Sequence, residues 1–173
     1  MNRILALLVI LSSCGLGVSQ SVLDTGVEKT TDEFTGERDC SQIVFHSRYD
    51  FTGIGLASDP KLETLVTFMR HLESVSDATF NMFGRLSGDR VYVRFPSTGE
   101  VLELTPFETT VISEGGMRVE AAAIFSDSLA AKVMSSPTDL RIRFAGSDGN
   151  RDFTIQHDVV VALAQGFGRQ CLD

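Results

Sequence analysis

The stretch Asp59-Pro60-Lys61-Leu62-Glu63-Thr64-Leu65-Val66-Thr67-Phe68-Met69-Arg70-His71-Leu72 decides how the rest of the chain is read. Asp59 can accept hydrogen bonds from the free amides that open a helix. Pro60 suits the first helical position, where no amide donor is needed. Leu62, Leu65, Val66, Met69 and Leu72 recur at helical spacing, which leaves Glu63, Arg70 and Glu73 for water. The spacing predicts a helix here, with His71 off its apolar stripe and at the surface.

On either side the pattern changes to strands. Upstream, Ile43-Val44-Phe45 reads as one strand and Phe51–Leu56 as another, weakened by Gly53 and Gly55. Downstream, Val91-Tyr92-Val93-Arg94-Phe95, the turn Pro96-Ser97-Thr98-Gly99, and Val101-Leu102-Glu103-Leu104 form a hairpin. The turn sets Val93 against Leu102 and Val91 against Leu104, so both strands place their apolar residues on one side. A second hairpin spans 109–125 around Glu114-Gly115-Gly116. A third joins Leu140–Phe144 to Phe153–Ile155, with Phe144 expected opposite Phe153 and Ile142 opposite Ile155. Short helices are expected after Ser126 or Asp127 and after Asp158. The fold expected is α+β: a single domain with an antiparallel β-sheet built of hairpins and about three helices packed on one face.

The N-terminus reads differently from the rest. Met1-Asn2-Arg3 is followed by an apolar run from Ile4 to Leu11, then by small residues, the order of a secretory signal. The run is too short for a membrane span, which needs roughly 20 residues. Leu11-Ser12-Ser13-Cys14-Gly15 resembles the lipobox of bacterial lipoproteins, which implies acylation of Cys14 as the first mature residue. Ordinary cleavage after Gly17 or Ser19 is the competing reading. Residues 1–19 are therefore taken as a signal segment. Residues 20–39, acid-rich and without periodicity, are taken as a flexible tether. The globular domain is expected over 40–173.

The 173 residues are 43% hydrophobic, enough for a core, and the net charge is −8. That balance argues against nucleic acid and against anionic lipid surfaces, both of which reward clustered Lys and Arg. A membrane is reached only through a lipid on Cys14. Of the three cysteines, Cys40 and Cys171 remain at opposite ends of the domain. In an oxidising compartment that pair predicts a disulfide. Two Cys without a close Cys-x-x-Cys or paired His do not make a zinc site, so neither metal nor cofactor is expected.

Candidate chemistry is sparse. His46-Ser47-Arg48-Tyr49-Asp50 is the densest set of reactive side chains, and His46 with Asp50 would serve a small hydrolase or a metal-dependent enzyme. A solvated turn explains the same residues, and that reading is preferred because no second motif supports chemistry. His157, just ahead of Asp158, reads as a turn residue. Asp148-Gly149-Asn150-Arg151-Asp152 resembles the start of a calcium loop but has Phe153 where Gly is needed and Val159 where Glu is needed. Tyr92, Arg94, Arg141 and Arg143 fall on the polar face of two hairpins. Adjacent strands would bring them together as a basic, partly aromatic patch, and Arg suits carboxylate or phosphate recognition through its planar donor fork. The alternative is cross-strand pairing with neighbours such as Glu103. The expectation is an exported periplasmic or envelope domain, noncatalytic, that binds a protein partner or an anionic envelope component.

Overall fold

The computed structural model describes residues 22–46, 52–59, 62–71, 88–114, 117–135, 138–146 and 149–171. The signal segment 1–19, with Cys14, and Asp50 lie outside the described residues. Among the described residues, eleven strands form two antiparallel sheets, accompanied by two helices. The larger sheet holds β1 (Val22–Asp24), β2 (Glu28–Thr31), β3 (Arg38–His46), β4 (Gly53–Asp59), β5 (Leu62–His71), β8 (Glu108–Glu114) and β9 (Met117–Phe125). Its order is β1-β3-β4-β5-β9-β8, and β2 also pairs with β3. The smaller sheet holds β6 (Gly88–Arg94), β7 (Val101–Leu104), β10 (Leu140–Gly146) and β11 (Gly149–Ile155), in the order β11-β10-β6-β7.

Helices α1 (Asp127–Ser135) and α2 (His157–Gln170) pack on each other. They also pack on the larger sheet, α1 against β5 and α2 against β3 and β4. One core joins these layers. Val44, Ile54, Leu56, Val66 and Phe68 of the larger sheet meet Val93, Phe95, Leu140 and Ile142 near the smaller one, with Leu129, Val160, Leu163 and Phe167 from the helices. Ile43, Phe45, Met69, Val119 and Ala121 form a smaller buried cluster on the other face of the larger sheet. Phe45 lies against Gly53, where a Cβ would come within 2.4 Å of the ring.

The expected single sheet carrying about three helices is therefore corrected. The protein is mostly β, in two sheets, with two helices among the described residues. The decisive difference is β5, which replaces the helix expected over 60–72. It lies inside the larger sheet, hydrogen-bonded to β4 on one side and β9 on the other. Val66 and Phe68 face the main core while Thr67 and Met69 are buried on the opposite face. A strand buried on both faces reads as an apolar run without alternation. Any such run contains residues three and four apart, which is how Leu62, Leu65, Val66 and Met69 imitated a helical stripe.

Within the flexible tether expected over 20–39, the described residues 22–39 carry two paired strands. Val22–Asp24 pairs with Val44–His46, and Glu28–Thr31 pairs with Arg38–Ser41. Glu28–Thr31 is exposed throughout, so the backbone ladder holds it without buried apolar side chains. Composition registers apolar burial and misses this kind of attachment. The hairpin over 91–104 has the pairing expected, Val93 with Leu102 and Val91 with Leu104. The third hairpin is shifted by two residues: Ile142 meets Phe153 and Phe144 meets Arg151. Strand pairing continues to Gly146 and Gly149, so Asn150 and Arg151 belong to β11 and not to the turn.

Cys40 and Cys171 are joined by a disulfide, with Cα atoms 5.7 Å apart. Beside it, buried Gln42 connects three elements. Its Nε2 donates to both carboxylate oxygens of Asp24 in β1, at 2.8 and 2.9 Å, and its Oε1 accepts the amide of Phe167 in α2 at 2.6 Å. Gly166 makes room for this side chain, since a Cβ there would lie 2.4 Å from the Gln42 amide.

Candidate functional site

The smaller sheet places its apolar residues inward by strict alternation: Val91 and Val93 on β6, Ile142 and Phe144 on β10 are buried. Tyr92, Arg94, Arg141 and Arg143 therefore share the outer face. The register makes them direct neighbours, Arg141 opposite Arg94 and Arg143 opposite Tyr92. The row through Arg94 and Arg141 continues to Val101 on β7 and Thr154 on β11. The row through Tyr92 and Arg143 ends at Glu103 and Asp152. All of these side chains except Glu103 border an open depression of about 530 Å³.

Charges on the face are unevenly satisfied. Arg143 makes a bidentate pair with Asp152, Nε to Oδ1 at 2.6 Å and a terminal nitrogen to Oδ2 at 2.7 Å. Those hydrogen bonds hold the Asp152 carboxyl below its usual range and raise the guanidinium above its own. Glu103 pairs with Arg90 instead of with any member of the patch. Glu100, in the β6–β7 turn, takes Lys132 of α1. Among the described residues, Arg94 and Arg141 have no carboxylate partner. Like charges placed directly opposite each other across strands repel. Two arginines at directly opposed positions, without a carboxylate partner among the described residues, have the electrostatics of an anion site.

The other candidate gains less. His46 ends β3, its amide donating to the Thr52 carbonyl at 2.8 Å. His157 opens α2, its amide donating to Asp139 at 2.7 Å, instead of occupying a turn. Among the described residues no group of three or more His, Cys, Asp or Glu is placed to hold a metal ion.

No known family, curated protein or solved structure matches this chain.

A polar group that sequence reading missed lies between the sheets. Glu120 of β9 is fully buried; its Oε2 accepts Arg70 Nε of β5 at 2.5 Å, and its Oε1 lies 3.8 Å from Arg151 of β11. Oε1 has no hydrogen-bond donor among the described residues. The carboxylate bridges the two sheets and faces guanidinium groups on both sides, so its role is a cross-link. The available signal was a lone charge in the otherwise apolar run Val119-Glu120-Ala121-Ala122-Ala123. Its partners are hidden in the sequence, where the helical spacing over 60–72 leaves Arg70 for water and the third hairpin places Arg151 in its turn.

Proposed function

We propose that this is an exported, noncatalytic domain of the periplasm or cell envelope that binds an anionic envelope component on the outer face of the smaller sheet. The observation that carries this reading is Arg94 opposite Arg141 without a neutralising carboxylate among the described residues, on a chain whose net charge is −8. The signal-like N-terminus and the Cys40–Cys171 bridge support the compartment, because disulfides persist where thiols are oxidised.

The test uses the purified protein and isolated envelope membranes in a sedimentation assay across a salt series. Wild type should co-sediment and release as salt rises, since exposed charges are screened over about 8 Å at physiological ionic strength. Arg94→Ala/Arg141→Ala should lose binding while keeping its urea midpoint, because both residues are exposed and their mutual repulsion is removed. Equal binding by the double variant would refute the assignment of the face. Binding that survives removal of lipid but is lost with protease would redirect the reading to a protein partner.

A further inference from the structure

The outer face of the smaller sheet offers its charge at one point. Around the Arg94–Arg141 pair, Arg143 is neutralised by Asp152, Arg90 by Glu103 and Lys132 by Glu100. A polyanion gains affinity where cations recur along a track and release counterions together. Here these three cations, the neighbours among the described residues, are already paired, and the acidic chain repels extended negative charge. The ligand that fits carries its charge in one compact group.

Charge matching narrows that group further. Directly opposed residues on antiparallel strands have Cα atoms about 4.5–5.5 Å apart, so two Arg side chains leaving one face can bracket a single anion. A carboxylate or phosphodiester carries one negative charge and leaves one guanidinium uncompensated. A phosphate monoester carries about −1.5 to −2 at neutral pH and has oxygens for two donor forks. The rest of the row is neutral: Val101, 53% exposed, stands beside Arg94, and Thr154 stands beside Arg141. Tyr92 adds an aromatic ring within the same depression. We infer that Arg94 and Arg141 form a site for a phosphate monoester whose apolar or uncharged body rests against Val101 and Tyr92. This rests on the reading of the face as a binding surface.

Calorimetry with phenyl phosphate and phenyl sulfate, similar in shape but different in charge at pH 7.5, tests it directly. Phenyl phosphate should bind at least tenfold more tightly than phenyl sulfate. Its affinity should fall as pH drops through about 6, where the dianion takes up a proton. Arg94→Ala/Arg141→Ala should abolish the difference. Vesicles of phosphatidylcholine carrying phosphatidic acid, a monoester, or phosphatidylglycerol, a diester, separate the sources. Binding to the first vesicle alone points to a lipid headgroup, and binding of phenyl phosphate without either vesicle points to a soluble monoester. Equal affinity for phenyl phosphate and phenyl sulfate, or phenyl phosphate binding that survives the double substitution, overturns the inference. Arg-dependent binding of heparin without phenyl phosphate also overturns it, while leaving the broader binding reading intact. Failure of that broader reading shows instead as envelope sedimentation indifferent to both arginines.

Discussion

Replacing Gly166 by Ala should destabilise the protein, although the same change usually stabilises a helix. In a helix interior Ala is favoured over Gly by about 1 kcal/mol. At Gly166 the new methyl group would stand 2.4 Å from both polar atoms of the Gln42 amide. That amide is held at both ends, by Asp24 and by the Phe167 amide. Withdrawal of α2 is opposed by the disulfide just beyond its end. Overpacking of this kind costs about 1–3 kcal/mol. Displacing the Gln42 side chain leaves a buried polar group without its partner, at about 1–3 kcal/mol more. Set against the gain in propensity, the net loss is about 3 kcal/mol. Gly168 is the internal control, because a Cβ there meets only Met134 Sδ at 3.6 Å, an ordinary contact. Gly168→Ala should therefore be neutral or stabilising by up to about 1 kcal/mol. Urea unfolding of the oxidised proteins measures both. A Gly166→Ala variant as stable as wild type would refute the reasoning. So would a Gly166→Ala cost unchanged in a Gln42→Ala background, because Gln42 would then not be the obstructing group.

Reduction of the Cys40–Cys171 bridge should lower stability by up to about 5 kcal/mol on the chain-entropy estimate, given its sequence separation of 131; urea midpoints with and without reductant check this, and coincident curves would contradict it. Glu120→Ala should cost up to about 3–5 kcal/mol by leaving the partly buried Arg70 guanidinium without its carboxylate, read from the same unfolding curves; a change below that of an exposed pair such as Arg143–Asp152 would show that the cross-link is idle. Acid should weaken the fold through Asp127 and Asp152. Thr64, through its amide and hydroxyl, holds Asp127 below the usual carboxylate range, and Arg143 does the same for Asp152. Their contribution is present above the unfolded-state value and is lost as pH falls through the lower folded values, so the change falls below pH about 4. Asp127→Asn should flatten that limb of a stability-against-pH curve while altering the neutral range less.

How much could be read from the chain depended on whether the determinants were local. The 91–104 hairpin was legible because its alternation and its turn agree; Gly99, at φ 73°, supplies the conformation the turn needs. Alternation placed Tyr92 with Arg94, and Arg141 with Arg143, on one face of each strand; the pairing of β6 with β10 that makes them neighbours joins strands far apart in sequence and was only a condition of that reading. Strand β5 was not legible, because neighbours on both sides and both faces define it, and although β4 directly precedes it, β9 and helix α1 are distant in sequence. Gln42 and Glu120 were missed on the same ground. Their partners lie 18 and 125 residues away for Gln42, and 50 for the Arg70 bond of Glu120. The two-residue shift of the third hairpin kept every side chain on its expected face but moved Arg151 into reach of Glu120.

The placement of the bridge also divides the chain mechanically. Tension applied ahead of β1 first meets a strand of three residues and then one of four. Peeling β2 from β3 breaks backbone pairing alone, whereas peeling β1 also breaks the Asp24–Gln42 bonds and uncovers Val22 from the core. When the opposing force acts at the Cys171 end, the load passes at Cys40 through sulfur to Cys171 and bypasses the covalently closed span between them. Residues 22–39 thus act as an extensible leash of roughly 60 Å at full stretch. The smaller sheet lies entirely within the closed span, so its arginine face would keep its shape while the leash pays out under load.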